Sequence, residues 1–218
     1  MQQMDYIDTF IKHYSYFLQH IEDGRAFPYE KMRVSGERRT IAKLFLSSGK
    51  LNISGVVNFH SCLPILKLIP EGIYDVRFLL FNVLEREDQR IGFSEIIFSE
   101  NEISKWLPVQ IPFTDKDGTI SYSEFVSIDG GDIIYCDEIY KTTLQERLEE
   151  EFEEIIVDSH NANQKLSWRH IQLPQSTPQV IIFSAGIGDG SYPSYLGYDM
   201  DGNVCRLVSD FKLYRYFV

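Results

Sequence analysis

The sequence has few cysteines, a shortage of basic residues and no long apolar run, and each shortage excludes a class of protein. Cysteine occurs 3 times in 218 residues, and an odd number of widely spaced cysteines argues against a disulfide framework. Lysine and arginine number 21 against 32 aspartates and glutamates, which gives a net charge of −11. A nucleic-acid partner needs a positive surface, and a membrane span needs roughly 20 apolar residues. We therefore expect neither nucleic-acid binding nor membrane insertion.

The start of the chain and its cysteines both bear on the cellular compartment. Met1–Asp8 lacks the basic region and apolar run of a secretory signal peptide. Cys62, Cys136 and Cys205 are expected to be reduced and partly buried, as free cysteines usually are. Both observations predict a cytoplasmic protein.

The acidic composition, with a pI of about 4.9, has two interpretations. Excess negative charge keeps a protein soluble. An acidic face also attracts a basic protein partner, such as a nuclease or a toxin. Composition alone leaves both interpretations open.

Short apolar segments separated by turn residues indicate a fold that is mainly β, with α+β as the alternative. Aromatic residues make up 14% of the chain, which favours strands. Short turns between neighbouring segments predict antiparallel sheets, packed as a sandwich or an open barrel. The predicted strands are Thr40–Leu46, Gly55–Phe59, Ile65–Ile69, Tyr74–Val83, Gly92–Phe98, Phe125–Ile128, Ile133–Cys136, Val180–Phe183 and Val204–Val208.

Two segments have the periodicity of peripheral helices. Apolar and aromatic side chains recur at spacings of three and four over Asp5–Ile21, which gives the helix one apolar face. Thr143–Ile156 has the same pattern, and Thr143 with Glu146 matches a capping box at its start.

The remaining segments are expected to connect these elements. Gly24–Arg39 is polar and is the chain's cationic segment, either a solvated loop or a local anion site. We therefore divide the chain into an N-terminal helix with its polar connection, residues 1–39, and a single β-rich domain, residues 40–218. Asp158–Gln179 is predicted to be a long surface loop because prolines interrupt a polar stretch.

Asp115–Glu124 resembles half of a calcium-binding loop. With Gly118 at the sixth loop position, three acids fall on ligand positions, but Phe113 occupies the first position and cannot bind the ion. Pro112 also opposes an entering helix, whereas Asp117-Gly118 is a good hairpin turn. We expect a hairpin that does not bind calcium.

Glycines, acids and tyrosines are concentrated between Ser184 and Phe211. Such a density of glycine indicates turns or a close approach of two backbones. Gly188 and Gly190 flank Asp189 at a spacing of two, and Gly202 follows Asp201 in a turn. Both arrangements predict backbone angles that a side chain would oppose. The glycines assigned a structural role are Gly186, Gly188, Gly190, Gly197 and Gly202.

Acids in this block and near Gly130-Gly131 form a candidate functional cluster. They either satisfy backbone groups in separate turns or converge to run acid–base chemistry or hold a cation. We predict that Asp129 and Asp189 approach one another, because both lie in glycine-rich corners after short strands. The candidate residues are Asp129, Asp137, Asp189, Tyr192, Tyr195 and Asp199.

Catalytic and cofactor motifs are incomplete in the sequence. Gly186-Ile187-Gly188 follows a predicted strand, but the third glycine of a dinucleotide fingerprint is missing and no helix follows. The sequence contains no Gly-x-Ser-x-Gly elbow and no P-loop. Its cysteines and histidines lack the spacing of a zinc site, so neither a metal nor another cofactor is expected.

Three segments resemble, in the same order, a bacterial family catalogued as domain of unknown function 4241. They are Ile69–Val76, with a Pro-x-Gly strand entry, Val126–Asp132 with Asp137, and Gly186–Asp199 with Asp201-Gly202 and Asp210-Phe211. The resemblance covers roughly Leu51 to Phe211. Ile187 and Leu196 stand where the family often has tryptophan, and Ser61-Cys62 replaces an Asp-Pro. The resemblance implies a domain and carries no activity with it.

Two function hypotheses follow. The first is a non-enzymatic interaction protein of a bacterial cytoplasm, an immunity-type or regulatory binder with an acidic surface. The alternative is a carboxylate- or divalent-metal-dependent hydrolase that uses Asp129, Asp137, Asp189 and Asp199. Convergence of these acids in a cleft favours the enzyme, and separate turn positions favour the binder.

Overall fold

Antiparallel strands make up most of the fold. The computed structural model describes residues 2–23, 27–29, 32–83, 88–152, 168–171 and 180–213. Its helices are α1 (Gln2–Asp23) and α2 (Lys141–Phe152), and short 3-10 helices lie at Phe59–Ser61 and Glu138–Tyr140. The strands are β1 (Phe27–Tyr29), β2 (Met32–Leu46), β3 (Leu51–Gly55), β4 (Gly72–Val83), β5 (Asp88–Ile97), β6 (Lys105–Pro108), β7 (Ile111–Thr114), β8 (Ile120–Ser123), β9 (Phe125–Ile128), β10 (Asp132–Asp137), β11 (Trp168–Ile171), β12 (Val180–Ser184), β13 (Gly190–Tyr198) and β14 (Val204–Asp210).

The strands form two packed sheets and a separate hairpin. The large sheet has the order β1-β2-β4-β5-β14-β13-β6, and β9 pairs with the first half of β13. The small sheet has the order β11-β12-β10-β3, and β7 pairs with β8. The prediction of a mainly β fold with antiparallel sheets is confirmed, and the arrangement is a sandwich and not a closed barrel.

Apolar side chains from both sheets fill the space between them. Phe78 of the large sheet contacts Phe183 of the small sheet, with ring centroids 4.6 Å apart. Along β10, Ile133 and Tyr135 enter this central core, whereas Ile134 and Cys136 point to the opposite face. The small sheet is therefore buried on both faces, which explains its continuous apolar strands.

A helix covers the outer face of each sheet. Phe10, Tyr14 and Phe17 of α1 pack on the large sheet, and Leu144 and Leu148 of α2 pack on the small sheet. The described residues therefore form four layers, with the two predicted peripheral helices on the outside. In the described ranges, neither helix combines the length and apolarity that crossing a membrane requires.

A chain of hydroxyl groups crosses the central core. The phenol oxygen of Tyr135 lies 2.5 Å from Ser94 Oγ and donates to Ser209 Oγ at 2.7 Å, and Ser209 lies 2.7 Å from Ser194 Oγ. All four side chains are buried, and burial raises the pKa of Tyr135 to about 12. Because each hydroxyl has a partner, these polar groups connect the sheets without unsatisfied buried atoms.

The predicted polar connection at Gly24–Arg39 is wrong over most of its length. Phe27–Tyr29 and Met32–Leu46 form an antiparallel pair of strands, so the boundary predicted between residues 39 and 40 falls inside β2. The sequence did not indicate this strand because only alternate positions in the first half of β2 face α1, and the residues between them are polar. Val34 and Gly36 lie against the helix, and Gly36 lies close to Ile21 and Phe17.

Two other predicted strands are misplaced. The strand expected at Gly55–Phe59 is Leu51–Gly55, and a side chain at Gly55 would place its Cβ 2.6 Å from Ser127 O. Ile65–Ile69 is a bend. Ile65 and Ile69 are buried in the central core without strand pairing, and their amides donate to Leu51 O and Gly49 O.

The second predicted helix starts earlier than expected. It begins at Lys141, so Thr143 lies inside the first turn and forms no capping box. Asp137 instead caps the preceding 3-10 helix by accepting a hydrogen bond from Ile139 N. The predicted end at Ile156 lies outside the described residues. So does most of the predicted loop Asp158–Gln179, of which the described part, Trp168–Ile171, is a strand.

We predict that Phe10 anchors α1 to the large sheet. Its buried ring stacks on Tyr195 at 4.0 Å and meets Trp106 edge to face, so Phe10→Ala should lower the free energy of unfolding by about 3–5 kcal/mol. Tyr16→Ala, on the exposed side of the same helix, should change it by about 0.5 kcal/mol or less. Urea titration measures both values, and equal unfolding midpoints would show that the helix is not packed as described.

Candidate functional site

The glycine-rich block begins with a tight turn between β12 and β13. Gly186 and Gly188 have φ angles of +50° and +110°, a region that favours glycine. A side chain at Gly186 would also place its Cβ 2.8 Å from Phe211 Cβ. The amide of Gly188 donates to Ala185 O at 2.6 Å, which closes the turn.

A second glycine turn, between β9 and β10, lies directly against the first. Gly130 and Gly131 have φ angles of +83° and +80°. The position of a Cβ on Gly131 is 3.6 Å from the Cα of Gly188, and the amide of Ala185 donates to Gly131 O at 2.8 Å. The two turns are therefore in direct contact, and glycine is favoured in both because of the positive φ angles.

A third segment, after β3, completes this surface. Val56 N donates to Asp132 O, and Asn58 Nδ2 donates to Ser127 O. The side chain of Val57 lies 3.5 Å from the Cβ position of Gly130. We call residues 56–58, 129–131 and 186–189 the three-loop corner.

The three-loop corner exposes two acids beside two aliphatic side chains. Asp129 and Asp189 are exposed, and they lie on turns that contact one another. Val57 is 45% exposed and Ile187 is 42% exposed. Exposed carboxylates and exposed apolar side chains therefore lie on the same three segments.

Asp137 lies away from this corner and has a structural role. Asp129 precedes β10 and Asp137 ends it, so the strand separates them. The Asp137 carboxylate is fully buried and accepts hydrogen bonds from the backbone amides and hydroxyls of Ser47 and Ser48. It therefore fixes the turn after β2.

Asp199 is separated from Asp189 by the nine-residue strand β13. Its carboxylate accepts from Asn101 Nδ2 at 2.9 Å and from the amides of Asp201 and Asn203 at 3.0 and 2.8 Å. The hydrogen bond from Asn101, followed by that from the Asn203 amide, lowers the pKa of Asp199. Asp199 thus organises the β13–β14 turn, where Gly202 has a φ of +81°.

Tyr192 and Tyr195, also candidates from the sequence, are both core residues on opposite faces of β13. Tyr192 lies in the central core, and its hydroxyl donates to Gly188 O at 2.9 Å. Tyr195 stacks on Phe10 beneath α1. Neither ring is part of the exposed three-loop corner, although Tyr192 supports the Gly188 turn.

Two of the predicted structural glycines are required for space and not for their backbone angles. Gly190 is part of β13, so the left-handed backbone predicted there is wrong, and a Cβ would lie 3.0 Å from the Tyr192 ring. At Gly197 a Cβ would lie 2.8 Å from Ile103. Both positions are crowded because aromatic and aliphatic side chains cross the strand.

The segment that resembles a calcium loop forms the β7–β8 hairpin. Asp117 Oδ1 accepts from Thr119 N at 3.0 Å, and Asp115 Oδ2 accepts from Ser121 Oγ. The flanks are strands, as expected. Across the described part of the chain, no group of three His, Cys, Asp or Glu side chains is arranged to hold a metal ion. The absence of calcium binding stays a prediction.

Sequence reasoning missed a buried ionic cluster centred on Glu95. Its side chain is fully buried on the α1 face of β5. Arg38 Nε lies 2.8 Å from Glu95 Oε2, Arg206 Nη1 lies 3.5 Å from Oε1, and the Tyr14 hydroxyl donates to Oε1. The sequence does contain a signal for this cluster, since Glu95 lies within the apolar segment Gly92–Phe98. A carboxylate buried there without a partner would be strongly unfavourable.

The Glu95 cluster connects α1 to three strands of the large sheet. Arg206 Nη1 also donates to the Tyr14 hydroxyl at 3.1 Å. Burial, and next the negative charge of Glu95, raises the pKa of Tyr14 well above its usual value. At the exposed side of the cluster, Glu100 contacts Arg77 at 2.7 Å and Arg206 at 3.7 Å. Arg38, which the sequence placed in a possible anion site, binds an internal carboxylate.

Comparison with known proteins identifies the family. The family model described as a protein of unknown function (DUF4241) matches residues 44–209, which include most of both sheets and the three-loop corner. The chain belongs to this family. No curated protein and no solved structure matches it.

We predict that the glycines of the three-loop corner matter more for folding than its acids. Gly186→Ala should cost about 1–3 kcal/mol, because it introduces an unfavourable φ and a contact with Phe211. Asp189→Asn should change stability by about 0.5 kcal/mol or less, since the side chain is exposed. Thermal melting of both variants, with Gly190→Ala and Gly202→Ala beside them, tests this. A destabilised Asp189→Asn with an unaffected Gly186→Ala would reverse the assignment.

We also predict that Glu95→Gln is strongly destabilising. The change leaves Arg38 and Arg206 without their buried counter-charge and should cost about 3–5 kcal/mol. Tyr14→Phe removes the hydrogen bond donated to Glu95 and the one accepted from Arg206, and should cost about 1–3 kcal/mol. The matched control is Glu100→Gln, which contacts Arg206 from a position 66% exposed and should cost about 1 kcal/mol or less. Equal losses for Glu95→Gln and Glu100→Gln in guanidinium unfolding would contradict the role of the buried carboxylate.

Proposed function

We propose that this protein is a non-enzymatic binder of the bacterial cytoplasm, an immunity-type or regulatory protein that binds a basic protein partner through an acidic surface. The observation that carries the proposal is the separation of its candidate acids. Asp137 and Asp199 fix turns, whereas Asp129 and Asp189 are exposed together on the three-loop corner. A binder needs such exposed groups, whereas a hydrolase needs carboxylates that converge.

The surface of the three-loop corner supports protein recognition. Its exposed Val57 and Ile187 offer apolar contact area, and the flanking carboxylates favour a cationic partner. The turns carry glycines with positive φ and are fixed by backbone hydrogen bonds, so the surface is preorganised and less entropy is lost on binding. The net charge of −11 accelerates encounter with a basic partner.

The cysteines support the proposed compartment. Cys62, Cys136 and Cys205 are free and buried, a state that suits a reducing environment. Burial raises the pKa of Cys62 to about 11, so its thiol is a poor nucleophile at neutral pH. This observation favours a structural role over thiol catalysis.

Site-specific photo-crosslinking in bacterial cells tests the proposal. A photoreactive amino acid at Ile187 should form an adduct with a basic protein, identified by mass spectrometry. The same probe at Met200, which is 87% exposed at the distant β13–β14 turn, is the matched control. With the purified pair, replacing both Asp129 and Asp189 by asparagine should weaken binding about tenfold, or 1.4 kcal/mol, and added salt should reduce the difference.

Three results would contradict the proposed function. One is an equal yield of adducts from Ile187 and Met200. Another is an Ile187 adduct with an acidic protein, and a third is an affinity that the double asparagine variant leaves unchanged. Each would show that the acids of the three-loop corner do not select a partner.

A further inference from the structure

The β7–β8 hairpin has one attached edge and one open edge. The inner strand β7 is joined to the rest of the fold by the bridge between Cys62 and Phe113 and by the hydrogen bond from Leu63 N to Pro112 O at 3.0 Å. Among the described residues, β8 has β7 as its only strand partner. The far side of β8 therefore carries no strand from the described part of the chain.

The position of Pro112 shows which backbone groups of β8 point outwards. Pro112 has no amide hydrogen, and its carbonyl accepts from Leu63 on the side away from β8. Its partner Tyr122 is therefore in a non-hydrogen-bonded pair, and so is Ile120, two residues earlier. The hydrogen bond from Asp115 N to Thr119 O at 2.8 Å agrees with this alternation. Ile120 and Tyr122 thus direct their N–H and C=O groups to the open edge.

The side chains of β8 also favour contact with another strand. Ile120 and Tyr122 lie on one face, 54% and 55% exposed, and both residue types favour strands. Proline and lysine are two of the devices that protect exposed edges from pairing. Proline occurs in the edge strand β1, and lysine and proline both occur in the edge strand β6. The strand Ile-Ser-Tyr-Ser of β8 has neither.

The charges around the open edge of β8 favour a basic partner over a second copy of this chain. Asp115 and Asp117 are exposed at the turn end of β8, Glu124 follows its other end, and Lys116 is the one cation of this segment. Pairing with a second copy would bring these acids together in either strand direction, because both ends are acidic. A basic extended segment would instead meet complementary charge at both ends.

A cavity on the β7 side of the hairpin is lined by both the hairpin and the three-loop corner. Its volume is about 440 Å³, and its lining includes Asp115 and Lys116 of the hairpin, Asn58 of the three-loop corner, and Ser127. The hairpin and the three-loop corner therefore line one cavity, which places them near enough for one partner to contact both. We propose that β8 accepts an extended segment of the basic partner by strand addition, with alternate side chains covering Ile120 and Tyr122 and flanking lysines or arginines near the acids. This inference rests on the proposed function, since it describes how that partner binds.

Hydrogen exchange with a synthetic peptide tests strand addition without knowledge of the partner. The probe is Lys-Lys-Val-Thr-Val-Thr-Val-Lys-Lys, added to the intact protein and followed residue by residue by NMR. At about ten times the dissociation constant, exchange of the amides of Ile120 and Tyr122 should slow about tenfold. The amides of Ser121 and Ser123 already point to β7 and should change much less.

A variant and a second peptide make the test specific. Tyr122→Pro removes one outward donor, keeps the hairpin hydrogen bonds and should abolish binding, whereas Tyr122→Thr keeps the donor and should retain it. A peptide with glutamate in place of every lysine should not bind. If Tyr122→Pro disrupts the hairpin, the wild-type exchange pattern alone decides the question.

Several outcomes would overturn strand addition. They are unchanged exchange at Ile120 and Tyr122 in excess peptide, equal protection by the glutamate peptide, and dimerisation through β8 in sedimentation experiments. These outcomes are distinguishable from failure of the proposed function. A basic partner crosslinked at Ile187 would leave that function standing while showing that β8 is not the strand that binds it.

Discussion

The buried carboxylate of Glu95 is the interaction on which the outer half of the molecule depends. It lies on β5 and brings together Arg38 of β2, Arg206 of β14 and Tyr14 of α1. A buried charge is tolerated only with its partners in place, so these contacts define how the helix sits on the sheet. The aromatic contacts around Phe10 supply apolar burial, and Glu95 adds a directional constraint that apolar packing lacks.

Much of the β architecture could be predicted because burial leaves a regular pattern in the sequence. Phe78, Leu79, Leu80 and Phe81 of β4 are all buried, as expected of a strand covered on both faces. The apolar pattern gave a wrong strand at Ile65–Ile69, where the apolar residues of a loop are buried. It also missed the first half of β2, where one face of the strand is polar. Residue type predicts burial, but strand pairing depends on backbone partners that are distant in sequence.

The candidate site was less predictable for the same reason. Density of glycine and acid indicated the turns that meet at Gly131 and Gly188, but it did not distinguish exposed acids from acids that organise turns. Asp137 is bound by serines about 90 positions earlier, and Glu95 by an arginine 111 positions later. Only the folded chain shows that the first carboxylate fixes a turn and the second fixes a helix.

The placement of α1 also determines the order in which the protein can fold during synthesis. Its aromatic face packs on Leu79, Phe93, Tyr195 and Val208, which belong to strands spread over most of the chain. The helix therefore leaves the ribosome long before its docking surface exists, and its final contacts must wait until β13 and β14 have been made. Until then Phe10 lacks the ring of Tyr195 on which it stacks, and the Glu95 cluster lacks Arg206, so docking of the helix is completed only after most of the chain has been synthesised.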